Sequence, residues 1–106
     1  MKIIITSEGN NLNSKFDLRF GRCAWLCVYN TETKNTEFIE NENKDINGGA
    51  GTKTAEKVAE LGAESVMSGD FGPKAKTLLE KLKIQMVIPK EGNKTIGEIV
   101  GQLDKQ

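Results

Sequence analysis

The chain has 106 residues, enough for one domain and too few for two. Its 37 % hydrophobic and 28 % charged content is that of a folding chain, and fifteen basic against fifteen acidic residues leave no basic excess for a nucleic-acid backbone. It contains no histidine, which excludes a Ser-His-Asp triad, a Cys-His pair, a histidine zinc site and an imidazole proton shuttle.

Lys2 to Thr6 reads as the first strand, and its unbroken Ile3-Ile4-Ile5 run is that of a strand covered on both faces. Ser7 to Arg22 is polar and irregular. Ala24 to Tyr29 is the second strand, and the polar turn Asn30 to Asn35 joins it to a third, Thr36 to Glu42, as an antiparallel hairpin. Asn41 to Gly51 is a loop ending in glycines. A helix follows from about Thr52 to Leu61, with Ala55, Val58, Ala59 and Gly62 at helical spacing. Glu64 to Ser68 is a short strand. Gly69 to Pro73 leads into a second helix, with Pro73 in its first turn and Ala75, Leu78, Leu79 and Leu82 on one face. Ile84 to Ile88 is the last strand, stopped by Pro89. Thr95 opens a final helix, where Glu98 three residues on makes a capping box and Ile96, Ile99, Val100 and Leu103 form the buried stripe.

The order β-β-β-α-β-α-β-α predicts an α/β fold in which helices flank a five-stranded mixed sheet. With the first, fourth and fifth strands parallel, five segments converge at one end of the sheet. They are Thr6-Ser7-Glu8, Gly21-Arg22-Cys23, Gly48 to Thr52, Gly69 to Gly72, and Pro89. Open α/β sheets bind ligands there, outside the carboxyl ends of the parallel strands.

Gly48-Gly49-Ala50-Gly51-Thr52-Lys53 is not a phosphate-binding P-loop, because Thr52 stands where a glycine must precede the lysine. It is not a dinucleotide fingerprint either, because Thr54 stands where the third glycine belongs. A glycine turn at a helix start still offers free backbone N–H groups and a positive dipole end; an anion cradle and a plain cap are both open. Gly69-Asp70-Phe71-Gly72-Pro73 repeats the arrangement before the second helix. Arg19 and Arg22 flank Phe20-Gly21 and follow Asp17, so anion binding stands beside an Asp–Arg pair that pins the loop. Cys23 and Cys27, on one face of a strand, would lie roughly 13 Å apart, too far to chelate one metal or form a disulfide. Cys27 reads as a core thiol, and Cys23, beside Arg22, as a single soft metal ligand or a second buried thiol. The lysines of the second helix read as a solvated face.

Ser14-Lys15-Phe16-Asp17-Leu18-Arg19-Phe20-Gly21-Arg22, Gly48 to Thr52, and Ser68-Gly69-Asp70-Phe71-Gly72-Pro73 together resemble, in order and separation, the motifs of the dinitrogenase iron–molybdenum cofactor biosynthesis family. The resemblance spans nearly the whole chain. It implies a ribonuclease-H-like three-layer fold and a role around iron–sulfur or iron–molybdenum cluster assembly, as a carrier of cluster cargo. The family's functional positions fall on Arg19, Gly21, Arg22, Gly48, Gly49, Gly51, Gly69, Phe71 and Gly72. Where carriers use histidine as a cluster ligand this chain has none, which moves any metal ligation to Cys23 and implies weak or transient binding.

Three functions compete: a non-enzymatic cluster carrier, a nuclease of the kind the fold accommodates, and a small-anion or protein-binding module without metal. A two-metal nuclease needs carboxylates, one of them on the first strand, and none occurs before Glu8. The expectation is a non-catalytic, monomeric carrier with metallocluster cargo, served by cluster-assembly proteins and binding neither nucleic acid nor membrane. No apolar run approaches the roughly 18 residues of a membrane helix. The N-terminus lacks a signal-peptide pattern. With two cysteines, these features predict a cytoplasmic protein.

Overall fold

The computed structural model describes residues 1–105. Five strands form one sheet: β1 (Lys2–Ser7), β2 (Trp25–Asn30), β3 (Thr36–Glu40), β4 (Ser65–Met67) and β5 (Gln85–Val87). Three helices complete the α/β fold: α1 (Ala50–Glu60), α2 (Pro73–Lys81) and α3 (Ile96–Asp104). The strand order is β3-β2-β1-β4-β5, with β2 antiparallel to both neighbours and β1, β4 and β5 parallel. A short turn can join only antiparallel strands, whereas parallel neighbours require a crossover, supplied here by α1 and α2.

The central strand β1 explains the isoleucine run. Ile4 faces a core with Leu26, Val28 and Val66 beneath α1 and α2. Ile3 and Ile5 face a second core with Cys27, Tyr29, Met67, Ile96 and Ile99 beneath α3. Successive side chains on a strand point to opposite faces, so a strand covered on both sides has no place for polar alternation. No helix among the described residues is long and apolar enough to cross a membrane.

Several elements differ from the sequence expectation in ways that matter for the site. α1 begins at Ala50 rather than Thr52, so the glycine run is the helix start itself. β3 ends at Glu40, and Asn41 turns into the interior, 2 % exposed. The stretch between β1 and β2 is not merely polar. It bridges to β1 through Ser7–Phe16, to the turn after β4 through Arg19–Asp70, and to Thr95 through Lys15. It also delivers Phe16 to one core and Phe20 to the other. Each buried phenylalanine contributes roughly 1.5–3 kcal/mol, which anchors a segment with no ladder of its own. Leu82, expected on the buried face of α2, is 42 % exposed because it lies past the helix end.

α3 starts as its sequence predicts. Thr95 Oγ1 accepts the Glu98 N–H at 3.2 Å, and Glu98 Oε1 accepts the Thr95 N–H at 3.0 Å. The Thr95 N–H, and then the Thr95 hydroxyl that donates to the same Oε1 at 3.1 Å, hold the exposed Glu98 carboxyl below its ordinary pKa.

Candidate functional site

Both crossover helices begin at a glycine in a backbone conformation with positive φ, and neither carries a side-chain cap. Gly49, before α1, has φ 76° and ψ 13°. Gly72, before α2, has φ 69° and ψ 156°. No acidic side chain occupies the first turn of either helix. First-turn N–H groups have no partner within their own helix, so both N-termini present donors and positive dipole ends.

The two starts meet. Gly51 of α1 lies so close to α2 that a Cβ on it would be 3.3 Å from the Ala75 methyl. Gly21 lies against Gly51 on the other side, with no room for a side chain. Phe20 N–H donates to the Asp70 carbonyl at 3.1 Å, which ties this segment to the end of β4. The result is an open hollow of about 450 Å3 walled by Arg19 to Arg22, Gly49 to Thr52 and Asp70 to Ala75. Its floor includes Phe20 and Phe71, with ring centroids 5.2 Å apart and planes tilted by 37°.

Of the expected site residues, Arg19, Gly21, Arg22, Gly49, Gly51, Phe71 and Gly72 line this hollow. Gly48, Gly69 and Cys23 do not. Gly48 shapes the approach to α1 with φ 87°. Gly69 makes room for Leu18, whose Cδ2 would lie 2.7 Å from an added Cβ. The end of β1 does not reach the hollow, and Pro89 borders a separate groove beside α3.

Cys23 is fully buried. Its Sγ lies 3.2 Å from the Phe20 carbonyl, and burial, followed by the nearby Asp17 charge, pushes its pKa up to about 12. Burial alone pushes the Cys27 thiol up to about 12 as well. The two cysteines do not share a face: Cys23 belongs to the core under α1 and α2, Cys27 to the core under α3. β2 starts only at Trp25, so strand alternation does not extend back to Cys23. Sγ of Cys23 stands behind the hollow's wall, and metal ligation there would have to displace the thiol proton. Among the described residues no three Cys, Asp or Glu side chains are grouped to hold a metal ion.

The arginines are partly engaged. Arg19 Nε donates to Asp17 Oδ1 and its Nη2 to Asp17 Oδ2, both at 3.1 Å. Hydrogen bonding to Asp17, then its charge, raises the Arg19 pKa. Asp17 is 2 % exposed, whereas the Arg19 side chain is 66 % exposed, so the pair fixes the guanidinium at the rim. Arg22 Nη1 donates to the carbonyls of Lys44 and Ile46, each at 2.8 Å. The Asp–Arg pair that pins the loop is present, and both arginines also line the hollow. With Lys74, three cations line it against one carboxylate, Asp70.

Sequence reading placed Thr52 and Asp70 in the converging segments without a site role, and missed Lys74 in the lining and Asn41 behind it. Asn41 Nδ2 donates to the carbonyls of Cys23 at 2.8 Å and Gly21 at 3.1 Å. Its Oδ1 accepts from Asn43 N–H at 3.2 Å and from Thr54 Oγ1 at 3.4 Å. This buried amide joins the hollow's wall to α1 and to the loop after β3. An asparagine near a strand end looks like any turn residue, so no local signal marked it.

Fold and site together define a small α/β domain with a cationic, N–H-lined hollow beyond the carboxyl end of β4. Residues 1–106 match the family described as dinitrogenase iron-molybdenum cofactor, and the chain belongs to that family. It is 33 % identical over 89 residues to an uncharacterised protein of Methanocaldococcus jannaschii, covering 81 % of this chain and 72 % of that one. Its structure is similar to the apo form of the orange protein from Desulfovibrio gigas, with TM-score 0.88 and 34 % identity over 99 % of this chain and 88 % of that one. It is also similar to a NifB-like protein from Thermotoga, with TM-score 0.79 and 25 % identity over 98 % of this chain and 87 % of that one.

Proposed function

We propose that this protein is a non-catalytic carrier for an anionic iron–sulfur or iron–molybdenum type cluster, or its precursor, held in the hollow of a ribonuclease-H-like scaffold. The observation that carries the reading is the meeting of two uncapped helix N-termini under Arg19, Arg22 and Lys74. Family membership supplies the class of cargo.

The chemistry of the lining sets the mode of binding. Iron in such clusters needs thiolate or imidazole ligands, and the sulfurs accept N–H hydrogen bonds. The hollow offers donors and positive charge but no thiol, because Cys23 lies behind the wall. Cargo that already has its full ligand shell fits such a site, held by N–H···S contacts and by charge. Gly21, Gly49, Gly51 and Gly72 let the backbone approach it, Phe71 supplies an apolar floor, and Gly48 and Gly69 shape the flanking turns. Binding of this kind is weak enough to release the cargo.

Anaerobic titration with a synthetic thiolate-capped iron–sulfur cluster, followed by amide NMR shifts and iron stoichiometry, tests this. Stoichiometric uptake with shifts at Gly49, Gly51, Thr52, Gly72 and Lys74 is expected, and Cys23→Ser retains it. No iron uptake, with phosphate shifting the same amides, overturns the carrier reading in favour of a small-anion module.

A further inference from the structure

The charge of this neutral chain is unevenly distributed. Ion pairs hold Lys34, Lys44, Lys53, Lys57 and Lys94 to nearby acids. Among the described residues Lys74, Lys76, Lys81 and Lys83 have no such partner, and Glu80 is the one acid in that stretch. An unneutralised cationic helix on a chain of zero net charge is a local field, and such fields steer association with acidic surfaces.

Two of these lysines flank a groove. Thr52, Pro73, Lys74, Thr77, Leu78 and Lys81 line a seam of about 380 Å3 between the start of α1 and the outer face of α2. Lys74, Thr77, Leu78 and Lys81 stand at i, i+3, i+4 and i+7, one stripe of the helix. Leu78 is a partly buried apolar floor, and Leu82, four residues on and 42 % exposed, extends it. No acidic side chain lines the seam. It also opens directly onto the hollow, sharing Thr52, Pro73 and Lys74 with it.

We infer that the α2 seam is the docking surface for an acidic amphipathic helix of a partner protein, seated with apolar side chains on Leu78 and Leu82 and carboxylates on Lys74 and Lys81. Helix-in-groove recognition uses apolar anchors at this spacing, and flanking charge selects the partner. Its use for cargo exchange rests on the carrier reading: a partner on this seam sits at the mouth of the hollow. A membrane surface fits less well, because the apolar strip is two leucines wide and runs into a hollow rather than across a convex face.

The test uses the intact protein and a synthetic helical peptide with leucines at i, i+3, i+4 and i+7 and glutamates along its flanks. Amide NMR shifts are expected at Thr52, Lys74, Thr77, Leu78 and Lys81, with affinity falling as salt rises. Lys81→Glu and Thr77→Glu, both exposed and outside the hollow, are each expected to weaken binding about tenfold or more, since apposed like charges are costly. A peptide with lysines in place of the glutamates is expected not to bind. No shifts on the seam, or binding indifferent to both variants, overturns the inference, as does equal or stronger binding to anionic phospholipid vesicles. Cluster loading is measured in the same samples. Loading without peptide binding overturns the seam alone, and peptide binding without loading overturns the carrier reading alone.

Discussion

Gly21 and Gly51 pack backbone against backbone: a Cβ on Gly21 would lie 2.6 Å from the Gly51 nitrogen and 2.7 Å from its Cα. This contact sets how closely the loop before β2 approaches the first turn of α1, and so sets one wall of the hollow. Gly21→Ala meets main chain rather than a flexible side chain, so something structural must shift. Overpacking of this kind costs about 1–3 kcal/mol. Denaturant titration should show that loss, and amide shifts at Gly51 and Thr52 should show the displaced wall. In α3, Gly101 has nothing within 4 Å of an added Cβ, so the same methyl there is expected to stabilise the helix by about 0.5–1 kcal/mol.

The glycines before α1 and α2 should respond differently to substitution. Gly49 sits in the left-handed helical region, which asparagine also visits, whereas Gly72 at φ 69° and ψ 156° occupies a region essentially reserved for glycine. Gly49→Asn is therefore expected to be mild, Gly49→Ala to cost about 1–2 kcal/mol, and Gly72→Ala to cost more than Gly49→Ala. Thermal midpoints of the three variants give the ranking directly. A Gly72→Ala protein as stable as wild type would show that this turn relaxes without strain.

Alkaline pH should weaken the fold through its two thiols. Burial raises both from an ordinary 9.0 to about 12. The unfolded chain releases these protons near 9.0 while the folded chain keeps them, so their stabilisation is complete below that pH and is lost as pH rises toward 12. The denaturation midpoint is expected to fall across this window, less steeply in Cys27→Ala. At neutral pH a thiol reagent should label the protein at the rate at which it opens, not at the rate of a free thiol.

The cap of α3 should show in both stability and local exchange. Thr95→Ala removes the acceptor for the Glu98 N–H and is expected to cost about 1 kcal/mol. Hydrogen exchange should rise first at Gly97 and Glu98. A uniform rise across β1 instead would mean that α3 and the sheet open as one unit.

Local physics made much of this fold readable in advance. The run Ile3 to Ile5 marks a strand covered on both faces, because three consecutive apolar residues leave neither side for water. Thr95 and Glu98 announce a helix start, because their bonds span only three residues. The turn Asn30 to Asn35 is too short for anything but a hairpin, and the remaining strands must then be joined by crossovers. These features depend on neighbours in sequence, so the sequence by itself determined them.

What the tertiary structure alone decided are relations between residues far apart in the chain. Seven of the site residues expected from sequence line one hollow. Gly69 instead accommodates Leu18, and Cys23 turns into the core because β2 begins two residues after it. Asn41 gains its role only when Gly21, Cys23 and Thr54 surround it. The lysines of α2 become a surface only because folding leaves them without acidic partners and keeps the seam beside them open. A glycine, a thiol or a lysine has the same local propensity whether it faces ligand, core or solvent. Packing across the chain selects among these, because excluded volume and desolvation act between residues in space, not along the sequence.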